Sequence, residues 1–79
     1  MPKNIPALTP RELIRRLEAG GCSFYREGRG DHRLYVRYAG GRKRVAPIDM
    51  GAGELSPVYV LCIFREFGFT DAEIEELLN

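Results

Sequence analysis

Apolar positions recur along this chain at helical spacing near its ends and alternate in its middle, which predicts helices flanking a small sheet. Leu13, Ile14 and Leu17 form one apolar face, with Arg11, Arg15 and Glu18 mainly on the other. Thr9 stands as N-cap, Pro10 as the first helical residue and Glu12 as the partner in a capping box. Leu8 and Leu13 are spaced as a hydrophobic staple, and Gly20-Gly21 ends the helix. Cys22 to Glu27 reads as a short strand with Phe24 directed inward. In the next strand His32, Leu34, Val36 and Tyr38 share one face, and Arg33, Tyr35 and Arg37 the other. The apolar set is expected to face the helices, with His32 at the rim end of that core-facing row. Ala39-Gly40-Gly41 supplies a tight hairpin, and Arg42 to Ile48 a third strand in which Pro47 marks an edge or a strand end.

A second helix starts at Ser56-Pro57 and closes at Phe67-Gly68. It is apolar around nearly its whole circumference from Val58 to Phe64. So small a domain has little core in which to hide that helix, so part of it, represented by Val58, Val60 and Phe64, is expected to meet a partner. The last helix repeats the devices of the first: Thr70 as cap, Glu73 completing the box, Phe69 and Ile74 as the staple pair. The order α-β-β-β-α-α implies an α+β fold, a three-stranded antiparallel sheet with helices on one face. Residues 1–79 are read as one domain, with 1–8 as an extended N-terminal arm.

At 79 residues, 44% of them apolar and 29% charged, the composition is that of an ordinary globular domain. A chain of this size buries only about 60% of the surface it exposes when unfolded, so function falls to a shallow site or a partner's surface. No apolar run is long enough for a bilayer, and Met1 to Leu8 lacks the apolar core of a secretory signal. The expectation is a cytoplasmic protein with no membrane partner. Cys22 and Cys62 are read as small buried hydrophobes. Together with the single histidine they have no metal-ligand spacing, so neither a metal nor a small-molecule cofactor is expected. The net charge of +1 conceals a division. Residues 1–44 hold eleven of the twelve Lys and Arg, whereas Arg65 alone offsets the acids of residues 45–79. That asymmetry suits a basic face for nucleic acid and an acidic face turned elsewhere, although a solvated surface of uneven charge would look the same.

His32, the only histidine, gives this charge a chemical focus. A solitary histidine is ordinarily a hydrogen-bonded rim residue. Here it follows the Gly28 to Gly30 turn, has Arg29 and Arg33 beside it, and shares a strand with the triplet Arg33-Tyr35-Arg37. The hairpin end Arg42-Lys43-Arg44 is a further basic cluster. Guanidinium groups and aromatic rings together hold phosphates and unstacked bases, and their convergence around one imidazole favours RNA.

Helix, Gly20-Gly21, strand, Gly30-Asp31-His32, strand, basic hairpin, Val45-Ala46-Pro47, Gly53-Glu54-Leu55, helix, Gly68-Phe69 and Thr70 to Leu78 follow one another in an order that resembles the HicA family of toxins. The resemblance runs from Thr9 to Leu78. It implies a double-stranded-RNA-binding-domain-like fold, an mRNA interferase activity and neutralisation by a HicB-type antitoxin. It also implies that His32 matches the catalytic histidine and Gly30 the glycine two residues before it. Asp31 stands where the family usually has a small hydroxyl residue, and Glu54 to Val60 lacks the lysines and arginines that members commonly carry there. Such chemistry needs no metal, because RNA supplies its own 2′-hydroxyl nucleophile. On this reading His32 removes that proton or protonates the leaving 5′-oxygen, and Arg29 or Arg33 stabilises the phosphorane. Tyr35 or solvent remains for the second proton. RNA is held by Arg29, Gly30, Arg33, Tyr35, Arg37, Arg42, Lys43 and Arg44. The second reading is a catalytically inactive RNA-binding or protein-interaction module of the same fold.

Overall fold

The computed structural model describes Pro2 and residues 4–79. In chain order the elements are α1 (Pro10–Ala19), β1 (Ser23–Glu27), β2 (His32–Ala39), β3 (Arg42–Asp49), α2 (Pro57–Glu66) and α3 (Asp71–Leu78). The strands form an antiparallel sheet in the order β1-β2-β3, so the α-β-β-β-α-α layout expected for a double-stranded-RNA-binding-domain-like fold is what the chain adopts. The Met1 and Lys3 portion of the expected arm lies outside the described residues. The arm's end is anchored: Leu8 forms an isolated antiparallel bridge with Leu55, with N···O distances of 3.1 and 2.7 Å.

Local signals account for the helices. In α1 the Thr9 hydroxyl accepts from the Glu12 amide at 3.2 Å while the Glu12 carboxylate accepts from the Thr9 amide at 2.9 Å. Thr70 and Glu73 repeat the pattern at α3, and Ser56 caps α2 by accepting from the Tyr59 amide. These caps satisfy amides that a helix start leaves without partners. Bonds from the cap backbone hold the carboxyls of Glu12 and Glu73 below the usual range. Both staple pairs, Leu8 with Leu13 and Phe69 with Ile74, are buried.

The facing of the sheet is opposite to the sequence expectation. Tyr35 pairs with Ala46 and Arg33 with Ile48, so these four residues share one face; Tyr35, Ala46 and Ile48 lie in the same core cluster as Leu13, Leu17, Val60 and Phe64. The helix-facing row of β2 is therefore Arg33, Tyr35 and Arg37, whereas His32, Leu34, Val36 and Tyr38 lie on the outer face. Arg37 makes this possible, because its guanidinium is satisfied inside the fold. It donates from Nη1 to the Phe67 carbonyl at 2.7 Å, sits 3.9 Å from the Phe69 ring centroid and lies 3.7 Å from the Glu73 carboxylate. Tyr35 meets Phe24 edge-on, with centroids 5.9 Å apart. Phe24 does point to the helix side, but at the sheet edge, where it stays exposed. The Cα envelope, 32 × 32 × 17 Å, is thin enough for one sheet and one helical layer, so no helix covers the outer sheet face, on which Val36 is nonetheless buried.

The second helix is also partitioned differently. Val60 and Phe64 are wholly buried and belong to the core, so neither is available to a partner; of the expected contact residues only Val58 is on the surface, at 73% exposure. One face of α2, Val60, Ile63 and Phe64, joins Phe67 and Phe69 in the core, Phe64 meeting Phe69 edge-on, while Val58 and Cys62 stay exposed.

The two cysteines differ in the same way. Cys22 is buried, and burial pushes its thiol up to about 11, whereas Cys62 is exposed. Near pH 8 only about 0.1% of Cys22 would be thiolate. Iodoacetamide is expected to label Cys62 alone in the folded protein and both residues in denaturant, as peptide mass mapping would read directly.

Candidate nucleic-acid interface

The turn from Gly28 to Asp31 is built by the backbone. The Gly28 amide donates to the His32 carbonyl at 2.8 Å, the His32 amide to the Arg29 carbonyl at 3.0 Å, and Gly30 takes φ +57°, which glycine adopts without strain. His32 opens β2 opposite Asp49, with an exposed ring. Its Nδ1 lies 3.2 Å from the Arg29 carbonyl oxygen. A carbonyl only accepts, so Nδ1 carries the proton in this contact and Nε2 is the nitrogen with the free lone pair when the ring is neutral. Among the described residues nothing bonds Nε2.

Asp31 braces the turn on its other side. Its carbonyl accepts from the Met50 amide at 2.8 Å, and its side chain occupies the space that a Cβ on Gly51 would need, 2.5 Å from Asp31 Oδ2. The Asp49 carboxylate in turn accepts from the Gly51 amide at 3.0 Å. The carboxylate next to the imidazole is thus packed against a glycine loop.

The other expected RNA-contact residues do not form one surface. Arg29 and Gly30 are exposed in the turn with His32. Arg33 is on the opposite face of β2 and half exposed, 3.5 Å from Glu27. Tyr35 is 5% exposed, with only an edge toward the α1 side, and Arg37 is committed to Phe67, Phe69 and Glu73, so neither stands on an exposed strand face as expected. Burial raises the Tyr35 phenol above its ordinary range, which makes it a weaker acid for protonating a leaving oxygen. At the hairpin Arg42 is exposed and Arg44 turns inward against Gly68, whose Cα hydrogen side it fills. Lys43 faces outward, donates to the Tyr25 hydroxyl at 2.6 Å and lies 4.3 Å from that ring. The bond lowers the Tyr25 pKa and raises that of Lys43.

Two groups escaped the sequence reading. Tyr25, Tyr38 and Lys43 gather on the outer sheet face, where Lys43 reaches from the hairpin to Tyr25 in the irregular register between Phe24 and Arg26. Arg11 and Arg15 line a cleft of 230 Å³ with Ile14, Arg33, Tyr35 and Met50. Their signal was present, since residues four apart on a helix share a side and like charges there repel. A separate 320 Å³ hollow between the end of α1 and α3 is apolar, rimmed by Glu73 and Glu76, and includes no residue of the His32 turn. Among the described residues no group of three or more metal-ligating side chains occurs. No helix among them is long and apolar enough to cross a membrane.

Compared with protein-family models, curated proteins and solved structures, the chain matches none of them.

Proposed function

We propose that this protein is a HicA-like endoribonuclease that cleaves mRNA without a metal and is held inactive by a HicB-type antitoxin. The observation that carries the reading is the His32 ring: exposed, oriented through Nδ1 by the Arg29 carbonyl, and with Nε2 free to exchange a proton. Arg29, in the same turn, is the cation nearest in sequence that is not committed elsewhere in the fold, and it stabilises charge at phosphorus. In the reaction Nε2 takes the proton of the 2′-hydroxyl, the 2′-oxygen attacks the adjacent phosphorus, and the 5′-oxygen leaves. The products are a 2′,3′-cyclic phosphate and a 5′-hydroxyl. With Tyr35 buried, water supplies the proton to the leaving oxygen, which makes for a slow enzyme. A single histidine working at a solvent-open turn suits a toxin that needs only to cut messages occasionally.

The test is cleavage of a long mRNA by the purified chain in EDTA, with the new ends characterised. A 2′,3′-cyclic phosphate end is expected, and a substrate with one 2′-deoxy nucleotide at the cut position should resist cleavage there. Activity that needs added divalent cations, or that cuts the deoxy position equally well, would overturn the reading. The open, basic and aromatic sheet face at Tyr25, Tyr38 and Lys43 favours a second reading, an RNA-binding module without activity. That module would bind the same mRNA intact.

A further inference from the structure

Outside the residues assigned to the reaction, the cleft between α1 and the start of β2 concentrates positive charge that the fold does not neutralise. Arg11 and Arg15 project from one side of α1, Arg33 stands across from them, and Ile14, Tyr35 and Met50 form the lining between; no carboxylate contributes to it. An adjoining hollow of 380 Å³ shares Arg11, Arg33 and Met50 and extends past Thr9 and Pro10. Among the described residues Arg11 and Arg15 make no ion pair or hydrogen bond. Glu12 is engaged by the Thr9 cap and meets Arg15 only through space, Glu18 lies a turn beyond Arg15 and acts on Tyr35 through space, and the Glu27 carboxylate pairs with Arg33 at the exposed margin. Repulsion between guanidinium groups held this way is relieved when an anion enters between them.

We infer that this cleft binds the phosphodiester backbone of single-stranded RNA and holds the strand beside the His32 turn. Resting on the ribonuclease reading above, it names a subsite that the reading did not include. Guanidinium forks match phosphate oxygens in paired hydrogen bonds, and three of them around one hollow suit a group with several acceptor oxygens better than a single carboxylate. The Met50 amide bonds to the Asp31 carbonyl, so the cleft's lining is tied directly to the residue that precedes His32. Arg33 follows His32 directly in β2 with its side chain on the other face, so a strand seated between Arg11, Arg15 and Arg33 reaches the imidazole by passing round the end of the sheet at the Asp31 turn.

The experiment measures binding of a labelled oligouridylate by fluorescence anisotropy in a His32→Ala background, which separates binding from cleavage. Arg11→Gln with Arg15→Gln is expected to weaken binding about tenfold near 0.1 M salt and to make the log-log salt slope shallower by about 1.4, two lost phosphate contacts on a single strand. Arg26→Gln with Arg65→Gln removes the same charge elsewhere and should cause less than half that loss in logarithmic terms. Both double variants alter exposed side chains, and thermal melts monitored by circular dichroism establish that they fold. Equal losses in the two doubles would overturn the site in favour of diffuse attraction. An oligoglutamate that binds and responds to the cleft substitutions as strongly as RNA does would overturn the RNA assignment in favour of an acidic protein partner. Failure of the His32→Ala protein to bind RNA at low salt would overturn both the cleft and the proposed function. Binding that depends on the cleft, in a protein that cuts nothing, would uphold the cleft and remove the ribonuclease.

Discussion

His32→Ala is expected to cleave RNA about 10²- to 10⁴-fold more slowly than the wild-type chain in EDTA, with an unchanged melting temperature, the range lost when a positioned acid-base group is removed. Stability should hold because the ring is exposed and its one side-chain bond is to the Arg29 carbonyl within the same turn. The turn itself rests on main-chain bonds, Gly28 to His32 and His32 to Arg29, which alanine retains. His32→Asn sharpens the result, since its amide can still donate to the Arg29 carbonyl while lacking a ring nitrogen that can take up and release a proton. A proton-transfer role makes asparagine as slow as alanine; a purely positional role makes it much faster. Initial rates on one RNA, with all three proteins melted in parallel, decide between them.

Phe64→Ala is expected to cost about 3–5 kcal/mol of folding stability. A domain of this length has about 4–12 kcal/mol in total, so the loss takes between about a quarter and all of it. The side chain is wholly buried and lies edge-on to Phe69, with ring centroids 5.9 Å apart. Phe69 in turn carries the Arg37 guanidinium, so a cavity at Phe64 also loosens the site where that cation is held. Val58→Asp makes the contrast, because a residue at 73% exposure should tolerate the charge with almost no change in urea midpoint. A partner that contacts the exposed side of α2 would lose affinity for Val58→Asp without loss of stability, while Phe64→Ala would act through lost stability.

The elements were legible because their boundaries are written in short-range chemistry. Thr9 with Glu12, and Thr70 with Glu73, specify helix starts through bonds three residues long, and Gly40-Gly41 specifies a hairpin through two positive φ angles of 58° and 73°. The faces of the sheet were not legible, because burial depends on long-range partners. Leu34 and Val36 looked more apolar than Arg33, Tyr35 and Arg37, yet Arg37 finds a carbonyl, an aromatic ring and a carboxylate beneath the sheet, thirty or more residues along the chain. Strict alternation marks two faces without saying which one the helices will cover. The same limit affected the candidate site. His32, Arg29 and Gly30 come together because they are neighbours in one turn, whereas the Arg11, Arg15 and Arg33 cleft exists only once α1 packs across β2.

With only three strands, both β1 and β3 are sheet edges, and each is closed to a visiting strand by a different means. β1 is five residues long and loses its regular register between Phe24 and Arg26. On β3, Pro47 pairs with Leu34 without a donor of its own, so its ring nitrogen belongs to the outward side of the strand. The carbonyl on that same side is taken by the Tyr59 hydroxyl at 3.4 Å. A newcomer aligned along either edge would find the hydrogen bonding interrupted, at Pro47 on one side and at the β1 irregularity on the other. The domain's own edges thus favour recognition through side chains over recognition through shared backbone.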